Sequence, residues 1–191
     1  MKHPKFATAA TTAVLATLAL TGCASGSSTA GATGAPNIQS ASGSGQVLPV
    51  NKNPITNAAT APTLAITYTA LEDNVDPATK KAITDRLELT LKNTGPAALT
   101  GFEIYYQMTD KTTHKSEGYY QKLDGLSVAP GTESTIYFDN ESGPGHYPEN
   151  TFSLYRSSAN EVNTTIDVSA TGAKVATSTA KKSSATGEKA D

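Results

Sequence analysis

The chain has few means of stapling itself together. Its 191 residues include one cysteine, Cys23, so no intrachain disulfide can form. It has no tryptophan. Spanning a bilayer takes about 20 consecutive apolar residues, and the apolar stretch from Ala7 to Leu20 is shorter than that. No ten-residue stretch of the middle of the chain sustains a helical hydrophobic period. Lysine and arginine total 15 against 17 acidic residues and form no stripe. That balance argues against nucleic acid as a partner. Stability must therefore come from an apolar core, and 37% hydrophobic residues can supply one.

What is present is alternation. Leu87, Leu89 and Leu91 alternate with Glu88, Thr90 and Lys92. Phe102, Ile104, Tyr106 and Met108 alternate with Glu103, Tyr105, Gln107 and Thr109. A period of two buries one face of a strand and wets the other. Between these runs, Asn93-Thr94-Gly95-Pro96 turns the chain. The same reading predicts strands at Thr63 to Ala70, Ile83 to Lys92, Thr100 to Thr109, Gly118 to Leu123, Glu133 to Asp139 and Phe152 to Ser157. A seventh carries Val162, Thr164, Ile166 and Val168 on one face. Leu64, Ile66 and Tyr68 are expected to share a face of the first, and Phe152 and Leu154 to point inward from the sixth. Seven short strands with turns between them predict an all-β fold, a single immunoglobulin-like antiparallel β-sandwich over residues 62–170.

The flanks have a different composition. Lys2, His3 and Lys5 precede the apolar stretch, as in a secretory signal. Leu20-Thr21-Gly22-Cys23 follows it and resembles the lipobox of bacterial lipoproteins. The resemblance implies a signal peptide over 1–22 and a mature chain starting at Cys23. It also implies a lipid on that thiol and a cell-membrane location facing outward from the cytoplasm. Acyl chains contribute about 0.8 kcal/mol per buried methylene, so two or three hold firmly. Residues 23–61 are rich in Ser, Gly, Ala, Thr, Asn and Pro and read as a disordered tether. Such a linker spans roughly 30–35 Å end to end. Gln46 to Ile55 is slightly more apolar and could add an edge strand. Residues 171–191 contain almost no aliphatics and read as a disordered tail.

A further resemblance lies in the middle. Asn93-x-Gly95, Leu99, then Leu126-x-Val128-x-Pro130-Gly131-x-Glu133-x-x-Ile136-x-Phe138 is similar to extracellular bacterial immunoglobulin-like modules. CARDB-like domains and sandwich-type carbohydrate-binding modules share that pattern. It implies a module that binds, positions or spaces, by analogy of fold only.

No catalytic set emerges. His3 falls in the leader, His114 in a hairpin tip spanning Asp110 to Lys115, and His146 in a Gly-Pro-rich loop. No Gly-x-Ser-x-Gly elbow is present. Met108 fits the core pattern rather than a copper site. Glu72, Asp73 and Asp76, and separately Asp139 and Glu141, cluster without a calcium-loop spacing and read as solvated acids. No enzyme activity, cofactor or metal is expected. The suggestive feature is eight tyrosines against four phenylalanines. Alternation turns Tyr105, Tyr155 and one of Tyr119 or Tyr120 outward, with Glu103 and Gln107 beside them. Such a patch suits a protein partner or a sugar ring. The expected partners are the membrane through Cys23, and an envelope protein or, alternatively, wall glycan.

Overall fold

A computed structural model of the chain describes residues 47–72 and 86–184. All of them fall in one compact unit, Ser40–Asp191. The signal peptide, the lipobox, the tether up to residue 46, residues 73–85 with the expected acids Asp73 and Asp76 and the expected strand start at Ile83, and the last seven residues lie outside the described residues.

Leu87, Leu89 and Leu91 sit on β2 (Arg86–Asn93) and are fully buried, while the residues between them are half-buried. The second run forms β3 (Glu103–Asp110), where Ile104, Tyr106 and Met108 enter the core. The remaining strands are β1 (Leu64–Glu72), β4 (Ser116–Lys122), β5 (Glu133–Phe138), β6 (His146–Tyr147), β7 (Val162–Ala170) and β8 (Ala173–Lys182). They pair as two four-stranded sheets, β1-β2-β5-β6 and β4-β3-β7-β8. All pairs are antiparallel except β5 with β6. The fold is an all-β sandwich, with its core between the sheets. Among the described residues, no helix is long and apolar enough to cross a membrane.

The Asn-x-Gly and Pro-Gly turns meet each other. Asn93 is completely buried at the end of β2. Its side-chain amide donates to Ala97 O and Val128 O, each at 2.8 Å, and its Oδ1 accepts the Gly95 N–H. Its backbone carbonyl accepts the Gly131 N–H at 2.9 Å. One asparagine thus satisfies polar groups of two turns at once, and an apolar replacement would leave them buried without partners. Gly95 is required by contact as well. A Cβ there would stand 2.8 Å from Thr63 Cγ2.

Several expectations need correction. The first strand does not keep Leu64, Ile66 and Tyr68 on one face. A bulge between Ile66 and Tyr68 reverses its phase, so Tyr68 is half-exposed and Leu71 turns inward opposite Leu87. Phe152 to Ser157 is not a strand. Leu154–Ser157 forms a single helical turn, α1. The turn buries Leu154, Tyr155 and Arg156 in succession, which an extended strand with alternating faces cannot do. Phe152, expected inward, is 73% exposed. Arg156 instead pairs with the buried Glu149.

The C-terminal tail is the largest departure. Ala173–Lys182 forms the ten-residue strand β8, antiparallel to β7. Apart from Val175, its partly buried residues are small, and β1, the edge of the other sheet, packs close by. The hydroxyls of Thr69 on β1 and Ser178 on β8 lie 2.8 Å apart. Ala176 and Ala180 pack against the core. The strand ends on a buried amine, with Lys182 Nζ donating to Tyr155 O and Ser158 O at 2.9 and 2.7 Å.

The tether's described part is also placed. Residues 47–61 form an irregular strap on the β4-β3-β7-β8 sheet. Val50 makes one antiparallel bridge to Gly118 on β4, its N–H donating to Gly118 O at 2.6 Å. Asn53 donates to Asp167 on β7. Asn57 donates to Ser169 Oγ, Ala170 O and Ala173 O at 2.8–3.1 Å. The expected extra edge strand thus shrinks to one bridge.

Candidate functional site

The tyrosines do not form one patch. Tyr105 on β3 and Tyr120 on β4 are directly opposite and face away from the core. The Tyr120 hydroxyl donates to Glu103 Oε2 at 2.7 Å. Burial, then that bonded carboxylate, pushes its phenol up to about 12. Gln107 is exposed on the same strand. Tyr105 is only 9% exposed. A Cβ at Gly118 would stand 2.7 Å from its hydroxyl and 3.1 Å from Val50 O, so the glycine makes room for both ring and strap. Burial, and secondarily the charge of Asp167, raises its phenol.

Tyr119 and Tyr155 belong to the core. Both are wholly buried, which corrects the outward position expected for Tyr155. Tyr119 stacks on Tyr106 with centroids 5.3 Å apart. Its hydroxyl donates to Glu117 Oε2 at 2.7 Å, and the same oxygen accepts the Leu154 N–H that opens α1. This carboxylate caps the helical turn that Ser153 leaves without a side-chain cap. The structure therefore brings Glu103, Tyr105 and Tyr120 together, with Tyr105 largely covered, and separates Tyr119 and Tyr155 from them. Cys23 lies outside the described residues.

A second constellation was missed in the sequence. Parallel pairing of β5 with β6 sets His146 beside Tyr137 and Tyr147 beside Phe138. Asp139 follows β5 directly, and the intervening loop turns at Asn140, which has a left-handed φ of 61°. His146 Nδ1 lies 2.9 Å from Asp139 Oδ2 and 3.1 Å from its Oδ1. Glu141 Oε2 is 3.9 Å from the same nitrogen. The Asp139 side chain is completely buried, whereas Glu141 is 58% exposed. The imidazole stacks on the Tyr137 ring at 5.2 Å, and the Arg86 guanidinium lies 4.4 Å from that ring's centroid. His146 and Tyr147 line a cavity of about 420 Å³ together with Asp124, Ser127, Ser134 and Thr135. Reading Asp139 as a solvated acid is thereby corrected, and His146, expected in a loop, stands on β6 instead. The legible signal was Asp-x-Glu followed five residues later by His in one Gly-Pro-Gly loop. His114 does sit exposed at the β3–β4 tip, with a φ of 59°.

No protein-family model and no curated protein matches the chain. Among solved structures, it is similar to a β-glucuronidase from glycoside hydrolase family 2, with 9% identity and a TM-score of 0.38. That match covers 64% of this chain and 13% of the enzyme. It is also similar to the sporulation control protein Spo0M of Bacillus subtilis, with 10% identity and a TM-score of 0.30, over 68% of this chain and 50% of that one. A Pseudomonas fluorescens alkylpurine DNA glycosylase matches with 16% identity and a TM-score of 0.34, over 64% of this chain and 31% of that one. The chain thus spans half or less of the length of these three proteins.

Proposed function

We propose that this protein is a lipid-anchored component of the cell envelope, held to the membrane's outward face through Cys23, with a sandwich that binds or scaffolds a partner without catalysis. The observation that carries this reading is Leu20-Thr21-Gly22-Cys23 at the end of a basic-then-apolar leader. The sole thiol of the chain stands where an acyl group would be attached. The placement of the strap supports the reading, because the segment that follows the anchor meets the sandwich at the β4 edge. The open cavity at the β5–β6 end is a surface on which a partner can seat.

Metabolic labelling with a radioactive fatty acid, followed by membrane fractionation, tests the anchor. The wild-type chain is labelled and sediments with membranes, and Cys23→Ser loses both properties. A labelled, membrane-bound Cys23→Ser would defeat the reading. Photo-crosslinkers at Ser127 and Ser134, used in intact cells and read by mass spectrometry, test the partner. A discrete protein adduct is expected. Retention on purified wall polysaccharide, lost in Tyr120→Ala, is instead the result that the glycan alternative requires.

A further inference from the structure

We infer that Asp139, Glu141 and His146 form a site for a divalent transition-metal ion of the zinc class. The inference stands apart from the envelope reading and holds wherever the chain resides. One ligand atom from each of the three residues lies within 4.8 Å of the other two. Two ligands on tetrahedral zinc, each about 2.0–2.2 Å from the ion, stand about 3.3–3.6 Å apart. The Nδ1 separations from Asp139 and Glu141, 2.9 and 3.9 Å, fall on either side of that spacing. Shifts of about half an ångström to one ångström, opening the His146–Asp139 pair and drawing Glu141 in, gather the full set. Glu141, whose side chain is more than half exposed, is the residue free to move inward.

The donor mix decides the class of ion. One imidazole nitrogen and two carboxylates suit zinc, manganese or cobalt, whereas calcium and magnesium prefer all-oxygen shells. The ion would take the place of the proton now shared between Nδ1 and Asp139, with the ring proton moving to Nε2. The site is held in shape before any ion arrives. Asp139 Oδ1 accepts the Glu141 N–H at 3.0 Å, and the imidazole is fixed against Tyr137. Three protein ligands leave a fourth position free, as in sites that take a further ligand. His146 also lines the neighbouring cavity, so that ligand has room to approach.

Titration of the full chain with cobalt(II), read by its ligand-field absorption, tests the site directly. Expected is one saturable ion with a nitrogen–oxygen spectrum and no thiolate charge-transfer band, displaced by zinc. Cys23→Ser and His114→Ala leave it unchanged. His146→Ala abolishes it. Glu141→Gln, an exposed and conservative change that keeps the chain folded, weakens it at least tenfold. Absence of saturable uptake by the wild-type chain would overturn the inference. So would uptake that survives Glu141→Gln undiminished, or a spectrum showing thiolate ligation.

Discussion

Residues 47–61 and 173–182 flank the sandwich and both read as unstructured in the sequence, although the first carries Val47, Leu48, Val50 and Ile55 and the second only Val175. They meet the sandwich in opposite ways. The C-terminal stretch joins a sheet as a complete strand paired along β7. The N-terminal stretch crosses the same sheet with a backbone bond at each end, Val50 N–H to Gly118 O and Lys174 N–H to Ala61 O, and a few asparagine side chains. Position relative to an unpaired strand edge separates them, and Pro49 and Pro54 further bar the first from a ladder. Without β8, β7 would present its backbone groups unpaired, and a strand of small residues satisfies them. The strap crosses the outer surface of that sheet, so backbone bonds reach it only at the two edge strands, and asparagine side chains hold it between them.

The comparison can be broken most severely at the strand. Deleting residues 171–191 removes β8, unpairs β7 and uncovers Ile166 and Val168. The expected outcome is a chain without a cooperative thermal transition. A cooperative transition at wild-type temperature would show that β8 is dispensable. The strap should respond more mildly. Asn57→Ala loses three hydrogen bonds to the β7–β8 corner and should cost about 1–3 kcal/mol in denaturant unfolding, since it strands partly buried acceptors. A smaller effect is expected from Val50→Pro, which removes the one bridging N–H for about 1 kcal/mol. In that variant the Tyr105 phenol should titrate closer to its ordinary value, because the burial that raises it is partly lifted. Ultraviolet titration of the phenols measures this. If the tyrosine spectrum is unchanged, the strap is not what covers Tyr105.

The gentlest probe lies at the β3–β4 tip, outside both regions. Asp110 accepts bonds from Ser158, the Thr113 and Thr112 amides and Asn160, and these hold its carboxyl well below the usual carboxylate range. A depressed folded value means that the stabilisation is fully present above the unfolded value of about 3.9. It is lost as pH falls from there through the folded value. Asp110→Asn should therefore flatten the acid limb of the stability curve below about pH 4 and leave the shape near neutrality unchanged. An unaltered acid limb would remove Asp110 from the account.

The parts of the fold that were legible are those where large aliphatics mark the period. Leu87 to Leu91, Ile104 to Met108, Ile136, Phe138 and the Val162 to Val168 face all landed in the core. The Asn93 and Gly131 turns were legible because each residue type has a distinct backbone role. What failed has a common physical cause. Alternation assigns a face only while the strand is regular and the opposite face is bare. The bulge at β1 shifted Tyr68 outward, the helical turn took Tyr155 inward, and Tyr105, though it faces away from the core, is only 9% exposed. In β8, backbone pairing replaced hydrophobicity as the driving force, and small residues carry little signal of it. The His146 cluster depended on a parallel pairing of two residues that no local pattern announces.

Hydrogen exchange of the intact chain, followed by peptide mass spectrometry, is the most direct measurement. Peptides over 173–182 should exchange as slowly as those of β7, while peptides over 47–61 exchange far faster, with protection concentrated at Val50. Exchange of 173–182 at the rate of an unstructured peptide would contradict the eight-stranded sandwich on which the rest is built.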